Sequence, residues 1–474
     1  MTVSPDSPDA HATTAPTAIW AGLVVFVVLL AATLNNTVPY HGDETYYTAS
    51  AIHMVQRGDY DVPVFFGHAR FQKPILPYWA TALGYFLFGI SLWSGRLAFI
   101  AMALAMLWVT YRFALRLQAD GWYAMTAVVL LASSTLFVEA SRIAMTDLPL
   151  AFFSLIALYH FNEAQTEPAR ARRHDLAAFA AMGLATASKG PLGLLPLVAV
   201  ILAAAVTRQA ESLRRLRQRA HPLCWLTWAL PGLAWYAYVA VFHQDEFFRQ
   251  LSVESSANLP EGPGAIMVNV LFYTAAAVLY FPLAAAAGWR AARDHTALPQ
   301  GFRLITCYAA VTGLLPIVAL HGHRPRYLLT AFPAIALLAG WVLARGRWRS
   351  VAPRTALVWA CLQAVFLIAV PAIRGEPLKP LIRHWDQSLQ QSGTLTSYAL
   401  PTRELSWAQA LSHGRIRPYD EESPYVILRE SDLGVFPHHT VIRRAQILDA
   451  LRFEDHRLVA VRRAFVLIDR RREH

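Results

Sequence analysis

AIWAGLVVFVVLLAATL, residues 18–34, carries no charged side chain. With its flanks it passes the roughly 18 residues at which an apolar run reads as a bilayer-crossing helix. Several more such runs follow. Of the 474 residues 55% are hydrophobic and only 15% charged, whereas a water-soluble protein carries about 25% charge. The sequence therefore describes a mainly α, polytopic membrane protein. Residues 18–34 exceed the apolar region of a signal peptide and follow no basic stretch, so they are expected to remain as an anchor.

Outward from this run, eleven spans are expected, near 18–34, 94–116, 122–138, 146–161, 174–189, 190–207, 223–243, 266–288, 302–320, 326–344 and 354–372. The net charge of +11 does not indicate nucleic acid, because the basic residues alternate with apolar spans. Arg112 and Arg116, Arg170, Arg172 and Arg173, the run 208–219, Arg290 and Arg293, and RGRWR at 345–349 occupy every second loop. The positive-inside rule assigns those loops to the cytoplasm. The remaining ionisable residues then gather on the outer face: HGDETYY at 41–47, Lys73, the Glu139–Asp147 turn, the Lys189 turn, loop 244–265 and HGHRPRY at 321–327.

Three regions result. Residues 1–17 read as a disordered cytoplasmic tail, and 18–372 as the membrane domain. Within that domain, 35–93 form a first outer loop whose apolar piece, 74–90, is expected as an interfacial or re-entrant helix. Counting it as a span would put the Arg clusters outside. Residues 373–474, with the alternating runs YVILRE and RLVAVRRAFVLID around ELSWAQALSH, are expected to form a small α/β domain on the outer, periplasmic side.

HGDETYY sets Asp43 and Glu44 side by side at a membrane surface. In a solvated turn they would only cap the helix starting near Thr45. Beside a low-dielectric surface, two adjacent carboxylates repel each other and need a cation. They suit a general base, a divalent-metal ligand or a counter-charge to a sugar cation. Lys73, in FQKPILPYW, either snorkels at the end of an interfacial helix or binds phosphate as a point charge. Pro74 is expected to start that helix and add its N-terminal partial charge.

In SRIAMTDLPLAFF, Thr146 reads as a helix cap with Asp147 in the first turn, and Arg142 is in reach of Asp147 or Glu139. SKGP at 188–191 is a tight interhelical turn, with Lys189 beside the bend at Gly190. The cations of HGHRPRY can clamp phosphate. His41, His321 and His323 show no clear metal-ligand spacing, and zinc there is the weaker reading. Cys224, Cys307 and Cys361 lie in apolar runs and read as small buried hydrophobes.

GDETYYTASAIHMVQRGDYDVPVFFGHARFQKPILPYW resembles the first outer loop of the family joining aminoarabinose–lipid A transferases and protein O-mannosyltransferases. The matching features are D-E before an aromatic, R-G-D-Y with V-P, and F-x-K-P with Y-W. They continue in order with G-x-x-x-x-x-x-R-L at 89–97, T-D-x-P-L-x-F-F at 146–153, K-G-P at 189–191 and R-Y-L-L near 326–329. The resemblance is dense over 40–195 and sparse beyond. It implies a GT-C fold using a polyprenyl-phosphate sugar, with the site between the first outer loop and the membrane. It also implies Asp43 as principal catalytic acid, Glu44 as its partner and Asp147 as a second acid near the donor or a metal. Lys73, Arg326 and Tyr327 would meet the carrier phosphate, and Arg142 and Lys189 join them as candidate phosphate ligands. The sequence departs from the family at Tyr46, where Arg is usual, at Gln72, where Glu often precedes K-P, and at Thr330, where Pro is common.

The expected activity is inverting glycosyl transfer in the bacterial inner membrane, from an undecaprenyl-type carrier to lipid A. The alternative acceptor is a protein or another envelope glycan. No nucleotide-binding motif is present, and a divalent ion on Asp43 and Asp147 is one arrangement of the acids. A transporter or lipid flippase is the rival from another class. Transporters concentrate ionisable residues near the midplane, whereas these mark loops and span ends.

Overall fold

A computed structural model describes residues 17–36, 42–207, 219, 221–256, 262–319, 323–346, 348–376, 378–436, 438–454 and 457–470. His41, His321, the tail 1–16 and most of the basic run 208–219 lie outside the described residues.

Each of the eleven apolar segments contains helix. α1 (Thr17–Ala32) packs on α16 (Trp348–Arg374). The first loop holds α2 (Glu44–Arg57), the hairpin β1–β2 (Val64–Phe65, His68–Ala69) and α3 (Leu76–Phe88). Next come α4 (Leu92–Leu117), α5 (Gly121–Ser133), the short α6 (Thr135–Ala140), α7 (Asp147–Thr166), α8 (Ala171–Lys189) and α9 (Leu195–Thr207). Beyond them lie α10 (Pro222–Phe242), α11 (Gln244–Ser256), α12 (Gly262–Tyr280), α13 (Pro282–Arg293), α14 (Arg303–Ala319) and α15 (Phe332–Leu343). α5 is buried at every position from Tyr123 to Ser133, as expected of a helix apolar all round. It is the centre of the bundle, with α4, α15 and α16 against it.

Among the described residues six helices are long and apolar enough to cross a membrane, or seven if a bent pair counts as one. The protein is a multi-pass membrane protein. The span expected over 266–288 is this bent pair. α12 and α13 meet at 107°, because Pro282 has no N–H to continue the first helix and instead opens a new one. α3 has 13 residues, about 20 Å of helix against a hydrocarbon core of about 30 Å, and so cannot span. It begins at Leu76 with Pro77 in its first turn, not at Pro74. Pro77 is tolerated there because the first helical turn needs no N–H from it.

At SKGP the chain turns. Gly190 has φ +66°, and a Cβ on Gly193 would lie 2.2 Å from the Thr186 nitrogen. The turn therefore folds onto the end of α8 and fixes Lys189 at its rim.

The C-terminal segment contains α17 (Lys379–His384), α18 (Thr402–Leu411) and a sheet of β3 (Leu395–Ser397), β4 (Arg417–Pro418), β5 (Tyr425–Arg429), β6 (Thr440–Glu454) and β7 (Arg457–Asp469), ordered β4-β3-β5-β7-β6. YVILR is β5 and RLVAVRRAFVLID is β7. This unit docks on the first loop. Ser406 Oγ donates to Thr45 O at 3.2 Å, Gln56 Nε2 to Gly414 O at 2.9 Å, and His413 Nδ1 lies 2.6 Å from Ile90 O.

One buried pair joins the loop to the bundle. Glu44 and Arg96 are 3% and 2% exposed. Arg96 Nε and NH2 donate to the two Glu44 oxygens at 2.6 and 2.7 Å. Arg96 NH1 donates to Leu34 O and Asn36 O at 2.8 and 2.7 Å, and Ala144 N donates to Glu44 Oε1 at 3.1 Å. Arg96→Ala strands a buried carboxylate and is expected to cost about 3–5 kcal/mol. Thermal unfolding of the purified protein in detergent measures it, and an unchanged melting temperature contradicts the brace.

Candidate active site

The acids of HGDETYY diverge. Asp43 is the N-cap residue of α2 but makes no side-chain capping bond. Its Oδ2 instead accepts from Arg326 NH2 at 2.5 Å. Arg326 Nε lies 3.7 Å from Asp147 Oδ2, and Lys189 Nζ lies 2.6 Å from Asp147 Oδ1. Four side chains from α2, the turn before α15, the start of α7 and the end of α8 thus form an alternating chain, minus–plus–minus–plus. Tyr327 closes it, with Lys189 Nζ at 4.6 Å and Arg326 Cζ at 5.9 Å from its ring centroid. Thr146 likewise precedes α7 without a side-chain cap bond. The expected cap is not made because Thr146 has helical backbone, φ −74° and ψ −25°, where a capping residue is extended.

Glu44 is not part of this chain. Both its oxygens are engaged by Arg96 and Ala144, so its geometry is that of a brace holding the neighbouring Asp43 in place. Arg142 is 1% exposed. Burial, with Arg96 adding repulsion against the pull of Glu44 and Glu139, lowers its pKa to about 10. Lys73 is half-buried in the turn before α3.

Asp43 and Arg326 open onto a cavity of about 410 Å³ whose other walls include Glu139, Tyr280, His323 and Arg324. Burial raises the Glu139 carboxyl above its ordinary pKa, against the pull of Arg142. Tyr47, fully buried one turn beyond Asp43, is pushed well above the ordinary phenol range. Burial is the main cause, with Tyr78, Asp43 and Asp147 adding to it and Arg70 opposing. It stays protonated and remains a donor. Sequence reading missed Glu139 as a cavity residue and Arg96 as a brace. The motif at 89–97 contained Arg96 without indicating its partner.

The donor set does not fit a divalent ion. Asp43 and Asp147 are bridged by Arg326, with Lys189 on Asp147. Among the described residues no group of three or more His, Cys, Asp or Glu converges. His323 is exposed and packs on Phe272 at 4.9 Å between ring centroids.

Residues 72–236 match the family model described as dolichyl-phosphate-mannose-protein mannosyltransferase. The undecaprenyl phosphate-alpha-4-amino-4-deoxy-L-arabinose arabinosyl transferase of Pseudomonas aeruginosa (strain LESB58) is 34% identical over 167 residues, 34% of this chain and 29% of that protein. The enzyme of the same name from Edwardsiella ictaluri is 27% identical over 67% of this chain and 58% of its own length. The chain thus spans less than two thirds of either relative. The crystal structure of ArnT from Cupriavidus metallidurans bound to undecaprenyl phosphate superposes with a TM-score of 0.72 at 18% identity, over 96% of this chain and 98% of that one. The fold is GT-C, and the family that the motifs of 40–195 resemble is the one these matches return.

Glu139 supplies a pH test. Its raised folded pKa means that the folded state holds the proton more tightly than the unfolded state. The associated stability is present below about pH 4.5, the ordinary carboxyl range, and lost as pH rises through the folded value. Glu139→Gln is expected to melt above wild type near pH 7, with the difference closing toward pH 4. A constant difference across that range contradicts the assignment.

Proposed function

We propose that this chain is an inner-membrane glycosyltransferase that moves a sugar from a polyprenyl-phosphate carrier to lipid A or another envelope acceptor at the periplasmic face. The observation that carries the reading is the alternating chain Asp43–Arg326–Asp147–Lys189 beside the first loop of a GT-C fold. The names of the relatives, which specify undecaprenyl phosphate-linked aminoarabinose, support this donor class.

The chemistry is an inverting displacement. An acceptor oxygen attacks the anomeric carbon, the bond from that carbon to the phosphate oxygen breaks, and the electron pair leaves on the phosphate. Arg326, with Tyr327 beside it, and Lys73 from the turn before α3 neutralise the departing charge. Asp43 takes the proton of an acceptor hydroxyl, or orients a phosphate acceptor that has no proton to lose. A carboxylate paired with a guanidinium is a weak base. A carrier phosphate brought to Arg326 competes for that guanidinium and frees Asp43 as the donor arrives. Lys189 holds Asp147, which keeps Arg326 in line when Asp43 lets go. Glu44 acts through Arg96 as a positioning residue.

General-base assistance is worth roughly 10²–10⁴-fold, so Asp43→Asn is expected to lose that much transfer while melting like wild type. The assay is transfer from a labelled undecaprenyl-phosphate sugar by purified protein in detergent. Wild-type rates in Asp43→Asn contradict the role. Product formation without a sealed compartment separates transfer from transport, and the labelled product identifies the acceptor class.

A further inference from the structure

Arg70 brings into the first loop a charge that the reaction above does not use. The hairpin β1–β2 turns at Phe66 and Gly67, with φ of 44° and 87°, and delivers Arg70 directly after β2. Its backbone is pinned: Arg70 N donates to Pro63 O at 2.8 Å. Gln250 takes both flanking peptides, with Phe71 N donating to its Oε1 and its Nε2 donating to Ala69 O, each at 2.8 Å.

The Arg70 side chain is 9% exposed. Its guanidinium carbon lies 3.8 Å from the centroid of the Tyr46 ring, and NH1 donates to Gln72 Oε1 at 3.2 Å. Nε is buried with no hydrogen-bond partner among the described residues. Among the described residues its partners are a neutral amide and a π face, not a carboxylate. A cation removed this far from water is costly unless an anion lies beside it. Nearby, the Tyr78 hydroxyl is also fully buried, without a hydrogen-bond partner among the described residues. Its burial pushes the phenol up to about 12, against the pull of Arg70.

Arg70 and Tyr46 line a cavity of about 340 Å³ whose other walls include His68, Gln72, Glu246, Arg249 and Gln250. Arg249 is already held by Glu246 at 2.5 and 2.8 Å, so among the described residues that line the cavity Arg70 is the guanidinium without a counter-charge. α11, which carries these last residues, exposes Phe248, Leu251 and Val253, as does a helix lying in a bilayer interface. A lipid headgroup therefore meets the cavity at its own depth. Asp43 lines the first cavity, and Tyr46, one turn along α2, lines this one.

We propose that this cavity is a second oxyanion site, in which Arg70, stacked on Tyr46, holds the phosphate of a lipid substrate next to the reaction centre. The word substrate rests on the glycosyltransferase reading; the binding of phosphate does not. A guanidinium edge presents paired N–H donors to a tetrahedral oxyanion. The carrier lipid and a phosphorylated acceptor lipid offer that same group.

The test titrates the purified full chain, in neutral detergent with EDTA, with undecaprenyl phosphate and with bisphosphorylated lipid A, each beside its dephosphorylated counterpart. Arg70→Gln is expected to weaken binding of one phosphorylated lipid roughly tenfold to a hundredfold and to leave its dephosphorylated counterpart unchanged. The companion variant, Gln72→Glu, protects against a folding artefact. Its carboxylate, at an exposed position already bonded to Arg70, neutralises the guanidinium from within and gives a similar loss without lowering the melting temperature. A loss with undecaprenyl phosphate assigns the site to the carrier, and a loss with lipid A assigns it to the acceptor. Undiminished binding of both phosphorylated lipids by folded Gln72→Glu overturns the site, as does a wild type with no preference for either phosphorylated form. A wild type that binds but transfers no sugar contradicts the glycosyltransferase reading and leaves the oxyanion site standing.

Discussion

Two charges buried together, Glu44 and Arg96, tie the end of α1, the first turn of α2, α4 and the segment before α7 to one point. Neither charge could be buried alone, and the pair tolerates little displacement because all its strong donors and acceptors are matched. Asp43 immediately precedes Glu44, so its position is set by that lock rather than by a helix cap. The same lock draws the loop carrying Arg142 toward α2, and α7 begins a few residues later with Asp147.

From that fixed point the polar chemistry is arranged by alternation of sign. Arg326 lies between Asp43 and Asp147, and Lys189 lies on Asp147's other oxygen. Such a row is stable as it stands and sensitive to any arriving phosphate, which competes for the same cations. The C-terminal unit adds support from the other side, since α18 reaches the backbone of Thr45 through Ser406. The first turn of α2 is thus held from the bundle by Glu44 and from the sheet-bearing segment by Ser406. It separates a cavity containing Asp43 from one containing Arg70.

Much of the fold was legible because membrane burial writes itself into composition. Apolar runs marked the helices, Arg-rich loops sorted the ionisable residues to one face, and a short apolar piece at 74–90 read as non-spanning. The alternating β5 and β7 were visible for the same reason, period-two patterning around a helix. What the sequence could not convey was which charge meets which. Asp43 and Glu44 are adjacent and chemically alike, yet one faces a cavity and the other is consumed in a brace. Their partners, Arg326 and Arg96, lie far away in the chain and in different elements. Arg70 lies one residue before a motif recognised for its lysine, and its pairing with Tyr46 depends on a two-residue hairpin turn. The bend at Pro282 shows that a proline can outweigh hydropathy at a helix end.

The account turns on Arg326 leaving Asp43 when a lipid phosphate arrives. A cryo-EM structure of the full chain with undecaprenyl phosphate tests this most directly. The expected result is the phosphate within hydrogen-bond distance of Arg326, with the Arg326–Asp43 contact opened and the Glu44–Arg96 fork unchanged. A bound phosphate remote from Arg326, or an Arg326–Asp43 pair that stays closed beside it, contradicts the account.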